Sequence, residues 1–337
     1  MKIIVAGGCG FVGSNLSVYL HKKGYKIFSV DNLQRKGSIL NEKRLKKIGI
    51  KNFKKNISLK SSLKNLPKAN IIIDCCAEPS VEASKKNFEK VFNSNLLSTK
   101  NLLIKCIKDK AKFIFISSSR VYSINHLRNL KKIKQLKFRK EINLEFSTSS
   151  PKTLYGFTKL ASEDLIKEFS YIFNLKYIIN RFGVISGPWQ FGKVDQGFLS
   201  LFMWNFLNNK IIKFIGYNGS GLQERDILHV DDFCELIFLQ IKRFNKIFNK
   251  SFTAGGSTKN KANLKKIYQI CNSITNSKPK IIKIKKTSQY DIPYFNTSNK
   301  EIKKIYKWKV KKNIYDILND IFKWQKNNIS NLKKFFK

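Results

Sequence analysis

KIIVAGGCGFVGSNLSVYLHKKGYKIFSVD, residues 2–31, sets the character of the chain. Residues 2–6 (KIIVA) are a short apolar run that stops at glycine. From residue 11, apolar side chains recur at Phe11, Val12, Leu16, Tyr19 and Leu20, the period of a helix with one buried face. Gly24 then ends the helix as a left-handed cap would, and KIFSV at 26–30 reads as a second strand ending at Asp31. The order is strand, tight turn, helix, strand: a βαβ unit.

Further buried-type strands are NIIIDCC (70–76), KFIFIS (112–117) and KYIINRF (176–182), separated by helical stretches around 87–108 and 155–173. This alternation specifies an α/β fold, a doubly wound parallel sheet with helices on both faces. After about residue 183 the pattern loosens into glycine-rich loops (GPWQFG, GYNGSG). Helices follow near 231–247, 261–275, 299–307 and 313–326, with a strand at 280–285. The expected division is a sheet-bearing domain over 1–182 and a smaller second domain over 183–337. The basic stretch 131–140 (KKIKQLKFRK) reads as a solvated insertion.

The chain has 337 residues, 42% hydrophobic and 13% aromatic, enough to bury real cores and to exclude intrinsic disorder. No run has the length a membrane span needs, and the chain starts directly on a strand, without a leader pattern, so a cytoplasmic protein is expected. Six cysteines and three histidines are scattered without a C-x-x-C pair, which gives a zinc cage no ligand spacing. No metal site is expected, and the thiols read as reduced.

The formal net charge is +44, a value that raises nucleic acid as a partner. The type of base argues against it: 58 of the 66 basic residues are Lys, whereas groove readout favours the bidentate fork of Arg. The lysines accompany abundant Ile, Asn and Phe, the amino acids of A/T-rich codons. Codon bias explains the charge better than a specific nucleic-acid partner, and binding to such a partner should be weak and lost with salt.

Chemistry enters at the first turn. Gly7, Gly10 and Gly13 stand at three-residue spacing where strand hands over to helix, so the backbone can approach a pyrophosphate and the helix N-terminus can face its charge. Asp31, about 20 residues on, stands where a carboxylate binds a ribose diol. Together they point to NAD, with Arg35 and Lys36 close behind as groups that could hold the extra phosphate of NADP. Tyr155 and Lys159 are four apart on a helix and face the same way. Composition alone yields about two such Tyr/Lys pairs, and the chain has two, the other being Tyr19/Lys23. Ser117-Ser118-Ser119 distinguishes the second pair, because it closes a strand at the carboxyl edge of the sheet, where ligands bind in such folds.

The motifs GGCGFVGSNL, DNLQRKGS, SSSRVY, TLYGFTK, RFGVISGPWQ, VDQGF and QERDILHVDD, with Asn95 in the mid-sheet helix, span nearly the whole chain. Their sequence resembles the extended short-chain dehydrogenase/reductases, specifically the NAD-dependent sugar-nucleotide epimerase/dehydratase family. The resemblance implies a Rossmann-type fold, a nucleotide-sugar substrate, a role in supplying cell-surface polysaccharide such as lipopolysaccharide, and a homodimer or homotetramer. It implies Ser118, Tyr155 and Lys159 as catalytic residues. Gly7, Gly10, Phe11, Val12, Gly13, Asp31, Asn32, Ile57, Ala77, Asn95, Tyr155 and Lys159 would contact the cofactor, and Ser118, Gln190, Gln196, Arg225 and Asp226 the substrate. The chain departs from the family pattern at Asn56-Ile57, where an acidic residue is usual beside adenine, at Cys75-Cys76-Ala77, and at Ser123 and the stretch after it to about residue 145.

Overall fold

A computed structural model describes residues 1–80, 87–130, 141–194 and 196–336. The opening run folds as its pattern dictates: β1 (Lys2–Ala6), α1 (Phe11–Lys22) and β2 (Lys26–Val30). α2 (Ser38–Lys47) and β3 (Lys51–Phe53) follow, then β4 (Ile71–Asp74). α3 (Phe88–Phe92), a π-helical turn (Asn93–Leu97) and α4 (Ser98–Asp109) run on one after another into β5 (Lys112–Ser118). After α5 (Ile124–Asn129) come α6 (Leu154–Phe173), β6 (Tyr177–Phe182) and β7 (Val184–Ser186). The remainder is α7 (Phe198–Leu207), β8 (Ile212–Ile215), β9 (Glu224–His229), α8 (Val230–Arg243), β10 (Lys250–Ala254), β11 (Lys261–Ala262), α9 (Leu264–Thr275), β12 (Ile281–Ile284), β13 (Tyr294–Phe295), α10 (Lys300–Tyr306) and α11 (Ile314–Asn327), with a last short turn of helix behind it.

Seven strands form one sheet in the order β10-β6-β5-β4-β1-β2-β3. β1 pairs in parallel with both β2 and β4, so the strand order turns outward in both directions from β1. That is the switch point at which doubly wound sheets open a ligand crevice beyond their carboxyl ends. The sheet interior is apolar on both faces, as continuous runs such as IIID require. On one face Leu102, Leu103 and Cys106 of α4 and Ile166 of α6 pack with Phe113 and Phe115 of β5, each large side chain contributing roughly 1.5–3 kcal/mol by leaving water.

The chain divides into two compact units that are interleaved in sequence. The first is Met1–Val121, Thr153–Arg181 and Cys234–Phe252; the second is Tyr122–Lys152, Phe182–Phe233 and Thr253–Lys337. A single boundary at 182/183 therefore sits next to one of the breaks and omits the others. The cause is topological: most of α8 and the start of β10 return to the first sheet after the second unit has begun, and 122–152 leaves it early. In the second unit β9 pairs with β11, β13 and β7, and β8 pairs with β12. Its core gathers Phe202, Met203 and Phe206 of α7, Ile267 and Cys271 of α9, and Ile317, Leu318 and Ile321 of α11. The glycine-rich reading after residue 183 passed over α7 and β9. The stretch 131–140 lies outside the described residues. Among the described residues, no helix is long and apolar enough to cross a membrane.

Candidate active site

The glycine turn is built around Gly7, whose φ of +69° lies in the left-handed region that side chains resist. Its amide donates to the Val30 carbonyl at 2.8 Å, which bends the chain from β1 across the end of β2. Gly13 allows the helix to seat against that turn, because a methyl there would stand 2.2 Å from the Gly7 carbonyl oxygen. Gly10 is the N-cap of α1 and offers no side chain to its amides, and no acid stands in the first turn. The positive end of α1, with Phe11 and Val12 half-buried beside it, is thus left to an external anion.

Asp31 lies beside this turn. Its carboxylate accepts from the Cys9 amide at 3.0 Å and the Leu33 amide at 2.8 Å. Burial pushes the carboxyl up from its ordinary range, and those two amides and Arg35 pull it back. A half-buried carboxylate fixed one turn from a bare helix N-terminus fits the ribose and pyrophosphate of NAD. Asn32 Oδ1 accepts from the Gln34 amide at 3.1 Å. Ile57 is buried, with its carbonyl held by Asn101 Nδ2 at 2.8 Å, and Ala77 is half-buried in the loop after β4.

Asn95 lies on the π-helical turn and is 0% exposed. Its Oδ1 accepts from the Glu78 amide at 2.7 Å and its Nδ2 donates to Thr158 Oγ1 at 2.9 Å. Both ends of the amide are therefore used inside the protein, tying the loop after β4 to α6. That geometry makes Asn95 a clamp between the loop after β4 and α6.

The catalytic candidates converge in the first unit. Thr153 caps α6, its hydroxyl accepting from the Gly156 amide at 3.0 Å, and Tyr155 follows half-buried in the first turn. Gly156 touches the turn after β5: a methyl there would stand 1.9 Å from the Arg120 carbonyl oxygen. The glycine of TLYGFTK thus permits the close approach that brings the start of α6 against Ser119–Val121, next to Ser118. Ser118 Oγ accepts from the Arg120 amide at 3.2 Å, which leaves its own proton to donate. Lys159 is 1% exposed, and its Nζ donates to the Cys76 and Ile116 carbonyls, each at 3.0 Å. Two of its three protons are spent on the backbone, and the Phe115 ring lies 4.4 Å from the ammonium group. Asp74 is buried nearby; burial raises its carboxyl, and Lys159, Thr99 and Cys76 oppose that rise.

The second unit holds the other candidates. Gln190 Oε1 accepts from Ser186 Oγ at 2.7 Å, and Gln196 closes a backbone bridge with Lys193. Arg225 donates to Asp291 Oδ1 at 3.0 Å and to the Ile292 carbonyl at 2.6 Å. Asp226 is 0% exposed, its carboxylate under Gly183 and Gly255 and facing Thr297. Sequence reasoning missed the buried pair Glu163–Arg181, although an acid four residues after Lys159 in a chain with only 22 acids was a signal. Among the described residues, no group of three or more His, Cys, Asp or Glu is placed to hold a metal ion.

Residues 3–255 match the NAD dependent epimerase/dehydratase family, and the chain belongs to it. It is an enzyme of this NAD-dependent class, whose members act on nucleotide sugars. CDP-paratose 2-epimerase of Salmonella typhi is 26% identical over 345 aligned positions, covering 96% of this chain and 99% of that protein. dTDP-D-glucose 4,6-dehydratase of Dictyostelium discoideum is 33% identical over 68% of this chain and 53% of that protein. The crystal structure of a UDP-glucuronic acid 4-epimerase from Bacillus cereus, in complex with UDP-glucuronic acid and NAD, has the same fold, with a TM-score of 0.82, 22% identity and coverage of 97% of this chain and 99% of that one.

Proposed function

We propose that this enzyme epimerises a nucleotide sugar by way of a keto sugar, and that its substrate is of the CDP-paratose type used for cell-surface polysaccharide. One observation carries the choice of epimerase: the residues after Ser118 are Ser119 and Arg120, in a turn against which α6 is packed. Elimination of water from the oxidised sugar needs an acid at that place. A Ser hydroxyl is far too weak an acid and Arg does not release its proton in a protein. Similarity to CDP-paratose 2-epimerase over nearly the full length of both chains supports the substrate.

NAD, when bound, supplies the acceptor that takes hydrogen from the sugar carbinol and gives it back. The residues of this chain handle the proton. Tyr155 removes it from the hydroxyl and later returns it. Lys159, one helical turn after Tyr155, places a positive charge whose position is fixed by two carbonyls. Ser118 donates to the same sugar oxygen and keeps it in line. The six thiols are free, as in an enzyme working in the reducing cytoplasm.

The second reading is a 4,6-dehydratase, favoured by the 33% identity to such an enzyme over part of the chain. Glu78 is then the available carboxyl; it sits in the loop after β4, where Lys90 Nζ lies 3.4 Å from it and the Ser80 amide donates to it. Incubation with CDP-paratose, CDP-tyvelose and a panel of other nucleotide sugars, followed by mass spectrometry, separates the two. An epimerase gives an isobaric product; loss of one water assigns the elimination to another carboxylate and overturns the reading.

A further inference from the structure

We infer that Glu163 is the positioning residue that sets Tyr155 against Ser118, acting through Ser117 and Arg181. The inference rests on the catalytic set proposed above. Tyr155, Lys159 and Glu163 follow at four-residue intervals, so all three lie along one face of α6. Glu163 is 0% exposed. Ser117, the residue before Ser118, donates its hydroxyl to Glu163 Oε1. Arg181 on β6 donates through Nε to both carboxylate oxygens, at 3.1 and 3.0 Å, and through Nη2 to Oε2 at 2.7 Å.

A buried ion pair is weak evidence for stability, because well-packed apolar groups of the same volume often serve as well. What the pair adds is direction. A planar guanidinium gripping a carboxylate with several bonds fixes the rotation of the helix that carries the carboxylate. The helix is then held at two successive turns against β5: Lys159 at the Ile116 carbonyl and Glu163 at the Ser117 hydroxyl. Tyr155, one turn before Lys159, rides on a helix that these two bonds hold together with the Asn95–Thr158 bond and the packing of Gly156 on the Arg120 carbonyl. The relation to be held is that between Tyr155 and Ser118, where a misplacement of about 1 Å can cost ~100-fold in rate.

The test uses the full-length NAD-loaded enzyme with CDP-paratose as probe, alongside Tyr155→Phe. Ser117→Ala removes one hydroxyl and leaves the ion pair. It should lower kcat about tenfold, with KM and NAD affinity within twofold of the parent and Tm within a few degrees. Glu163→Leu combined with Arg181→Met replaces the pair with apolar side chains. That enzyme should bind NAD as the parent does, measured by fluorescence titration, yet lose about 100-fold in kcat, and amide exchange over 154–160 should quicken. Adding Ser117→Ala to it should cost nothing more. Parental kcat in folded Ser117→Ala, or in the folded apolar pair, overturns the inference, as does a change confined to Tm. Should the apolar pair fail to fold, Ser117→Ala decides alone. An active Tyr155→Phe enzyme would instead overturn the catalytic reading beneath it.

Discussion

The Lys159 ammonium group donates to the Ile116 carbonyl at 3.0 Å, two residues before Ser118. A side chain of the helix that carries Tyr155 is thus fastened to the strand that carries Ser118, in the interior of the first unit. The proposed catalytic groups keep their relation because the backbone itself holds one of them.

Tyr155→Phe removes the proton carrier and little contact area. Turnover should fall by at least ~100-fold, the lower range for loss of a general acid–base group, while the NAD dissociation constant stays within about twofold. Steady-state kinetics and fluorescence titration read both, and turnover near the parental rate would show that another group moves the proton.

Gly156→Ala places a methyl 1.9 Å from the Arg120 carbonyl oxygen. The backbone must give way, at a cost of about 1–3 kcal/mol, and α6 must move off the turn after Ser118. We expect a lower urea midpoint together with a kcat reduced by ~10- to 100-fold. A variant with parental kcat would mean that the contact is tolerant.

Asp226 gives a pH dependence with a definite sign. Burial pushes its carboxyl from the ordinary 3.8 up to about 6. The folded state therefore holds the proton more tightly than the unfolded one, and this group's contribution to stability declines as pH rises from about 4 to about 6. Above that window the buried charge costs on the order of 3 kcal/mol. Asp226→Asn cannot ionise, so its stability relative to the parent should improve by that order between pH 4 and pH 7.5. Parallel denaturation midpoints at the two pH values would remove Asp226 as the cause.

The family resemblance implies a homodimer or homotetramer; Leu102 and Leu103 of α4 and Ile166 of α6 are buried in the core of the first unit, so other side chains must make that contact. Phe157 on α6 is 46% exposed, and Tyr171, Ile172 and Phe173 at its end are more exposed still. Sedimentation at micromolar concentration should give twice the chain mass or four times it, and charged substitutions at Phe157 and Ile172 should shift the boundary toward monomer. A monomer at that concentration would refute the expectation.

The opening βαβ unit was legible because one short stretch carries all its instructions: a continuous apolar run, glycines where side chains do not fit, and an apolar period that changes from strand to helix. β4, β5 and β6 were legible for the same reason. β3 and α5 were not, since each is short, and α2 was not, since its stretch SILNEKRLKK is largely polar. α7 and β9 were hidden behind glycine-rich loops, and the composition of those loops says nothing of the pairing beyond them.

By itself, the sequence determined the fold class and the glycine turn with Asp31 behind it, because local spacing and local backbone preference suffice for these; Ser118, Tyr155 and Lys159 stood out as candidates through the strand-closing serines taken together with the family motifs around them. Only the tertiary structure decided what each polar group faces. It tied Asn95 to Glu78 and Thr158, buried Asp226 beside Gly183, Gly255 and Thr297, and joined Glu163 to Ser117 and Arg181 across 46 and 18 residues of chain. It also interleaved the two units, through the return of most of α8 and the start of β10 to the first sheet. The physical reason is that burial and hydrogen-bond partners depend on contacts between segments far apart in the chain, and residue type at one position does not encode them.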